Sequence, residues 1–367
     1  MNAAQTALQQ VMRDADLGAV ALVPGPNLLH VTGAPNHASE RLLLYLQRAD
    51  GARVAVVPEL EVGTYRSGGD DTPIEAWNDA GGVKDALERA AARLDLDGVR
   101  VGVEHLRMRV FEENALTNAW PYIEIAPAHD DIGLVRLRKT STEIAAIRDA
   151  VTVAQDALES VLAQVRVGMT EAQIARLLEG ALRDGGSGPL PFGLIVAAGG
   201  NAANPHAPVR DDVPVQPGDA LLFDWGARVR GYPSDLTRTV FIGEPSREAV
   251  AIYEAVEAAN AAGRAAVRPG VTAGEVDRVT RQVLVDAGFE SLVLHRTGHG
   301  LGREIHEPPY LTAGNDQQLE PGMVMTIEPG LYQQGVVGVR IEDDVVVTED
   351  GGESLSTMAR SLRVIDG

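Results

Sequence analysis

The stretch "VRVGMTEAQIARLLEGALRDGG" (Val165–Gly186) recurs downstream as "VRPGVTAGEVDRVTRQVLVDAG" (Val267–Gly288), with eight of the 22 aligned positions identical. Each copy starts with a turn and a Thr, followed three residues on by Gln or Glu: Thr170 with Gln173, Thr272 with Glu275. That is the pattern of a capping box, in which the two residues satisfy each other's donors at the first turn of a helix. Upstream, "AIRDAV" is echoed by "AIYEAV", and downstream each copy leads into apolar strand patterns. The unit is therefore helix, helix, strands, and it occurs twice. Neither half can bury its sheet alone, so the two must share a core, and a site would lie between them.

Working outward, the repeat is entered through one long helical pattern, "STEIAAIRDAVTVAQDALESVLAQVR", with Ser141 or Thr142 as its expected N-cap. The first third reads differently. Short apolar runs, "AVALVP", "RLLLYLQ", "VAVVP" and "VRVGVE", alternate with helical patterns such as "GGVKDALERAAARLDLDG", which predicts an α/β domain. The change falls between residues 133 and 140, giving an expected N-terminal domain at 1–135 and a second domain at 136–367. A chain of 367 residues is long enough for two such cores.

Composition narrows the function. The 45% hydrophobic and 23% charged content is that of an ordinary globular protein. A formal net charge of −20 argues against nucleic acid, whose recognition needs clustered Lys and Arg. The N-terminus lacks a signal pattern, and no apolar run approaches the ~18 residues that span a bilayer. The expected setting is cytoplasmic, with no membrane partner. The absence of cysteine excludes disulfides, thiolate zinc sites and a Cys nucleophile.

Four acids interrupt apolar surroundings. Asp224 lies in "ALLFDWGA", Glu328 in "MVMTIEPGLY" and Glu342 in "VGVRIEDDVVV"; Asp235, in "GYPSDLTRTV", follows Asp224 by eleven residues. Across a short turn, antiparallel strands would bring Asp224 and Asp235 to one point. Each acid alone could be a salt bridge or a cap. Together they exceed the nearby positive charge of Arg238 and Arg340, and an ionised carboxylate in such a place needs a partner or a metal. A pair of divalent cations would balance them. Oxygen ligands with one imidazole favour Mn²⁺, with Co²⁺ or Zn²⁺ as replacements. The imidazole comes from "HRTGHGLGREIHEPP" (His295–Pro309), where three glycines make a helix costly and favour a loop or strand end.

The order Asp224, Asp235, His299, Glu328, Glu342, framed by "FDWGARVRGYPSDLTRT", "TGHGLGREIHEPP", "TIEPGLY" and "RIEDD", resembles the pita-bread metallopeptidases, closest in the Xaa-Pro branch of proline dipeptidases and aminopeptidase P. The resemblance covers nearly the whole chain. It implies a pita-bread catalytic fold with an internal pseudo-two-fold repeat, preceded by a smaller creatinase-like N-terminal domain. It also implies two divalent metal ions, a homodimer, and hydrolysis of the Xaa-Pro bond at the N-terminus of dipeptides or short peptides. Asp224 would chelate one ion, Asp235 and Glu342 would bridge both, and His299 with Glu328 would complete the second. Glu328 would accept the nucleophile's proton, while His206 and His306 would contact the substrate and steady its developing oxyanion. Arg340, two residues before Glu342 on the same strand face, would support a metal-bound acid and stand near the substrate. His295 would be structural.

One departure stands out. In many proline dipeptidases an arginine four residues after the second active-site histidine binds the substrate carboxylate; here that position is Tyr310, which brings no charge. The expectation is a relaxed preference that admits longer Xaa-Pro peptides. The competing functions are a creatinase-like amidohydrolase, which does not need all five ligands, and a non-catalytic pita-bread binding module, which would have lost some. The large N-terminal domain disfavours a methionine aminopeptidase.

Overall fold

A computed structural model describes residues 1–366, which fold as two compact units, one ending at Arg136 and the next starting at Leu137. In the first unit, six strands form one mixed sheet in the order Ile74–Trp77, Arg53–Pro58, Leu44–Arg48, Ala19–Leu22, Arg100–Val103, Glu124–Pro127. Side chains alternate across a strand, so both faces of this sheet need cover. Ala19 and Ala21 face one core with Leu87 and Leu116 of the helices Lys84–Arg93 and Val110–Ala119. Val20 and Leu22 face the other, with Leu8 and Met12 of the helix Ala3–Asp14 and Leu28 of Pro26–Thr32. The alternation of apolar runs with helical patterns thus becomes a sheet covered on both sides.

In the second unit the repeat is plain. The helices Ser141–Leu162 and Glu171–Asp184 lead to the antiparallel strands Ile195–Ala198, Ala220–Trp225 and Leu236–Ile242. The helices Arg247–Ala266 and Ala273–Asp286 lead to a five-stranded sheet ordered Glu307–Leu311, Gly298–Gly300, Val324–Ile327, Asp343–Thr348, Gly351–Ser354. The half-sheets are stitched by a bridge between Thr237 and Glu342 and by Asp344 Oδ2, which accepts the N–H of Asp235 at 3.1 Å. Between them lies the expected site.

Two helix starts differ from the sequence reading. The long helix is capped by Thr140 rather than Ser141 or Thr142, because only Thr140 has an acid three residues on. Its Oγ1 accepts the N–H of Glu143 at 3.3 Å, and the Glu143 carboxylate accepts the N–H of Thr140 at 2.8 Å. Thr170 and Gln173 form the full box. Thr272 caps its helix, but the Glu275 carboxylate is taken by Arg278 at 2.7 Å and does not turn back.

Two close approaches hold the catalytic half together. Asn260, fully buried on the helix Arg247–Ala266, donates from its amide to the carbonyls of Ile327 at 3.0 Å and Ile341 at 3.2 Å. These are the residues just before Glu328 and Glu342, so one side chain fixes the backbone that delivers both acids. Gly298 and Gly300 flank His299 on a strand pressed between two neighbours. A Cβ on Gly298 would strike the Thr326 carbonyl, and one on Gly300 that of Pro308, so only glycine fits either side of this histidine. Among the described residues, no helix is long and apolar enough to cross a membrane.

Candidate active site

Asp224 sits near the end of the strand Ala220–Trp225, where its ladder partner is Thr237. Asp235 lies just before the facing strand, and the connection is a small ribbon of Arg228–Val229 with Tyr232–Pro233 rather than a short turn. The two acids still converge. Ligand-type atoms of Asp224, Asp235 and Glu342 lie within 4.8 Å of one another, as do those of His299, Glu328 and Glu342. Glu342 belongs to both of these groups, Asp235 and His299 form a third with His306, and His299 Nε2 stands 3.6 Å from Asp235 Oδ2 and 3.4 Å from Glu328 Oε1. All five side chains named from the sequence therefore meet, two from the first half of the repeat and three from the second. They line a cavity of about 670 Å³ with His206, His295, Arg296 and His306.

The imidazole of His299 is set for ligation. Its Nδ1 donates to the Gly300 carbonyl at 3.1 Å, which leaves the lone pair of Nε2 facing the acids. Burial, reinforced by neighbouring His306, pushes its pKa down to about 3, so the ring is neutral, as a metal ligand must be. Its backbone N–H donates to Thr326 Oγ1, which turns its own hydrogen toward Glu328 Oε1 at 3.3 Å.

The acids show the opposite strain. Burial and then mutual repulsion push Asp235 and Glu342 well above the usual carboxylate range. Burial also raises Glu328, to about 7, and raises Asp224 despite Arg340 beside it. Desolvation is the largest cost, like charges add to it, and a bound cation would offset both. Asp224 Oδ1 is buried with no hydrogen-bond partner while Oδ2 is held by Arg340, so one oxygen of this acid is left for a ligand. The donor set of carboxylates with one imidazole fits divalent cations of the Mn²⁺ type.

Arg340 is fully committed. Nη2 donates to Asp224 Oδ2 at 2.6 Å, Nη1 to the Tyr332 hydroxyl at 2.7 Å, and Nε to Thr237 Oγ1 at 3.0 Å. Thr237 in turn donates to Glu342 Oε2 at 2.6 Å. One guanidinium thus orients two acids, which suits support better than the substrate contact also expected of it. His295, expected to be structural, ends the same chain: its Nε2 meets the Tyr332 hydroxyl at 2.8 Å and its Nδ1 donates to the Arg296 carbonyl at 2.7 Å.

His206 and His306 are exposed and line the cavity, with the His306 ring set edgewise 4.2 Å from that of His299. Tyr310 is half-buried on the strand Glu307–Leu311, and the guanidinium of Arg296 lies over its ring. Sequence reasoning missed Thr237, Asn260, Tyr332 and Arg296. Arg296 stands inside the histidine-rich stretch His295–Pro309.

This fold, with its paired half-sheets and acid-lined cavity, is that of a metal-dependent hydrolase. The model of metallopeptidase family M24 matches residues 145–349, and that of the creatinase/prolidase N-terminal domain matches residues 5–138. The Xaa-Pro dipeptidase of Lactobacillus delbrueckii subsp. lactis is 34% identical over 349 residues, 94% of this chain and 95% of that protein. Among solved structures, a dipeptidase from Pyrococcus horikoshii OT3 superposes with a TM-score of 0.92 at 32% identity, over 99% of this chain and 100% of that one. A prolidase from Thermococcus sibiricus gives 0.91 at 30% identity over the full length of both. The chain belongs to metallopeptidase family M24 and is a hydrolase of pita-bread fold with a creatinase-type N-terminal domain.

Proposed function

We propose that this protein hydrolyses the Xaa-Pro bond of dipeptides and short peptides, using two divalent cations, Mn²⁺ foremost, held by Asp224, Asp235, His299, Glu328 and Glu342. The observation that carries this reading is the convergence of those five side chains, from both halves of the repeat, with one Asp224 oxygen left unpartnered. When bound, such ions supply Lewis acidity toward the peptide carbonyl and a nucleophilic water near neutral pH.

The protein's own groups do the rest. Glu328, set beside the other acids at the cavity, is placed to take a proton on Oε2 and pass it to the leaving nitrogen. Its Oε1 is steadied by Thr326, so the carboxylate has one fixed and one working oxygen. His206 and His306, on opposite chain segments of the rim, donate to the oxygen that gains charge as the carbonyl is attacked. Proline presents a tertiary amide without N–H and a compact ring, so recognition rests on shape. Phe192, Ile195, Leu294 and Ile305 supply apolar wall for that ring and for the preceding side chain.

The test is release of free amino acids from Ala-Pro and Ala-Ala by Mn²⁺-loaded protein. The proposal expects kcat/KM for Ala-Pro to exceed that for Ala-Ala by about 10²-fold or more, since a pocket shaped for the ring rejects the open chain and its extra N–H. Equal rates, or cleavage of neither, would overturn it.

A further inference from the structure

Arg340 spends its charge on Asp224, yet the cavity holds a second guanidinium. Arg296 is half-buried, lines the same cavity as His206, His306 and Glu328, and packs its guanidinium 4.5 Å from the centroid of the Tyr310 ring. Among the described residues, no carboxylate or carbonyl accepts from it. The contact with the Tyr310 ring holds the guanidinium at the cavity wall without using its N–H groups on a protein carboxylate.

We infer that Arg296, seated on Tyr310, receives the terminal carboxylate of the substrate and makes the site selective for dipeptides. The inference rests on the Xaa-Pro reading above. In a dipeptide the carboxylate belongs to the proline itself, one residue from the bond that breaks, so a cation at the cavity wall can meet it while the carbonyl faces the acids. In a longer peptide that position holds a neutral amide, and the forked donors of Arg296 lose their matching anion. The charge absent at position 310 is thus delivered by the segment that leads into the strand Gly298–Gly300, with Tyr310 as its platform. This reverses the relaxed preference expected from Tyr310 alone.

The experiment compares Ala-Pro with Ala-Pro amide, which differ only in the terminal charge, in Mn²⁺-loaded wild type and in Arg296→Met and Arg296→Lys, with bound metal measured in each. Wild type should prefer Ala-Pro by about 10- to 100-fold, the usual worth of a charged hydrogen-bonded pair. Arg296→Met should erase that preference, mostly through KM, while leaving the amide within about two-fold; Arg296→Lys should restore part of it. Calorimetry supplies a readout independent of turnover: proline should bind wild type more tightly than prolinamide does, and Arg296→Met should equalise them. A wild type indifferent to the terminal charge, or a variant in which both substrates fall equally, would overturn the inference and leave Arg296 a packing residue. A wild type that cleaves neither substrate would sink the Xaa-Pro reading itself, and the inference with it.

Discussion

Arg340 Nη2 lies 2.6 Å from Asp224 Oδ2, and through Thr237 the same guanidinium also steers Glu342. Replacing Arg340 with Met should therefore loosen two acids at once and raise their hold on protons. We expect metal affinity at pH 7 to fall by about 10- to 100-fold, the range found when groups supporting metal ligands are removed. Arg340→Lys, which keeps the charge but cannot reach three partners, should fall between. Metal titration by calorimetry gives the answer, and unchanged affinity in the Met variant would refute the supporting role.

His206 stands at the rim and takes no part in the close-set groups formed by the four acids and the His299 imidazole. His206→Ala should keep its metal and lose about 10²-fold or more in turnover, the scale of an oriented donor to a developing oxyanion. Elemental analysis beside steady-state kinetics separates the two effects. Loss of metal would place this histidine among the ligands instead.

Asp343, beside Glu342 in sequence, faces away from the cavity and is fully buried between Arg238 at 2.8 Å and Arg360 at 2.7 Å, with the Ser356 hydroxyl donating to it. Burial pushes this carboxyl up, but the two guanidinium groups outweigh it and hold the pKa down to about 2. A depressed pKa means stability that is fully present above the ordinary value near 4 and lost as pH falls through about 2. A pKa held down from near 4 to about 2 corresponds to roughly 2 to 3 kcal/mol. In metal-free protein, the gap in urea stability between wild type and Asp343→Asn should be widest near pH 6 and narrower at pH 3. A gap that does not change with pH would contradict this assignment.

Much of this was legible in the sequence because the signals were local. Thr170 with Gln173 marks a helix start within four residues, and an acid in "ALLFDWGA" is conspicuous against its neighbours. What escaped depends on distant chain segments. Asn260 looks like an ordinary polar residue on an amphipathic helix until two strands from far downstream present their carbonyls to it. Thr237 is a common strand residue whose hydroxyl matters only once Arg340 and Glu342 arrive on either side. Tyr310 carries no charge of its own, and nothing local announces that Arg296, fourteen positions earlier, packs over its ring. The Thr140 cap was a matter of register: three adjacent hydroxyl residues compete, and Glu143 decides among them.

If five side chains from two repeats hold a pair of catalytic cations, metal stoichiometry reports it. Protein stripped by chelation should be inactive on Ala-Pro and regain turnover as Mn²⁺ is returned, reaching its plateau at about two ions per chain by elemental mass spectrometry, the complement of a two-ion site. Asp235→Asn, treated identically, should bind less metal and stay inactive, because it removes charge from the place where the two clusters adjoin. Full activity in the stripped protein, or normal metal content and turnover in Asp235→Asn, would contradict the account.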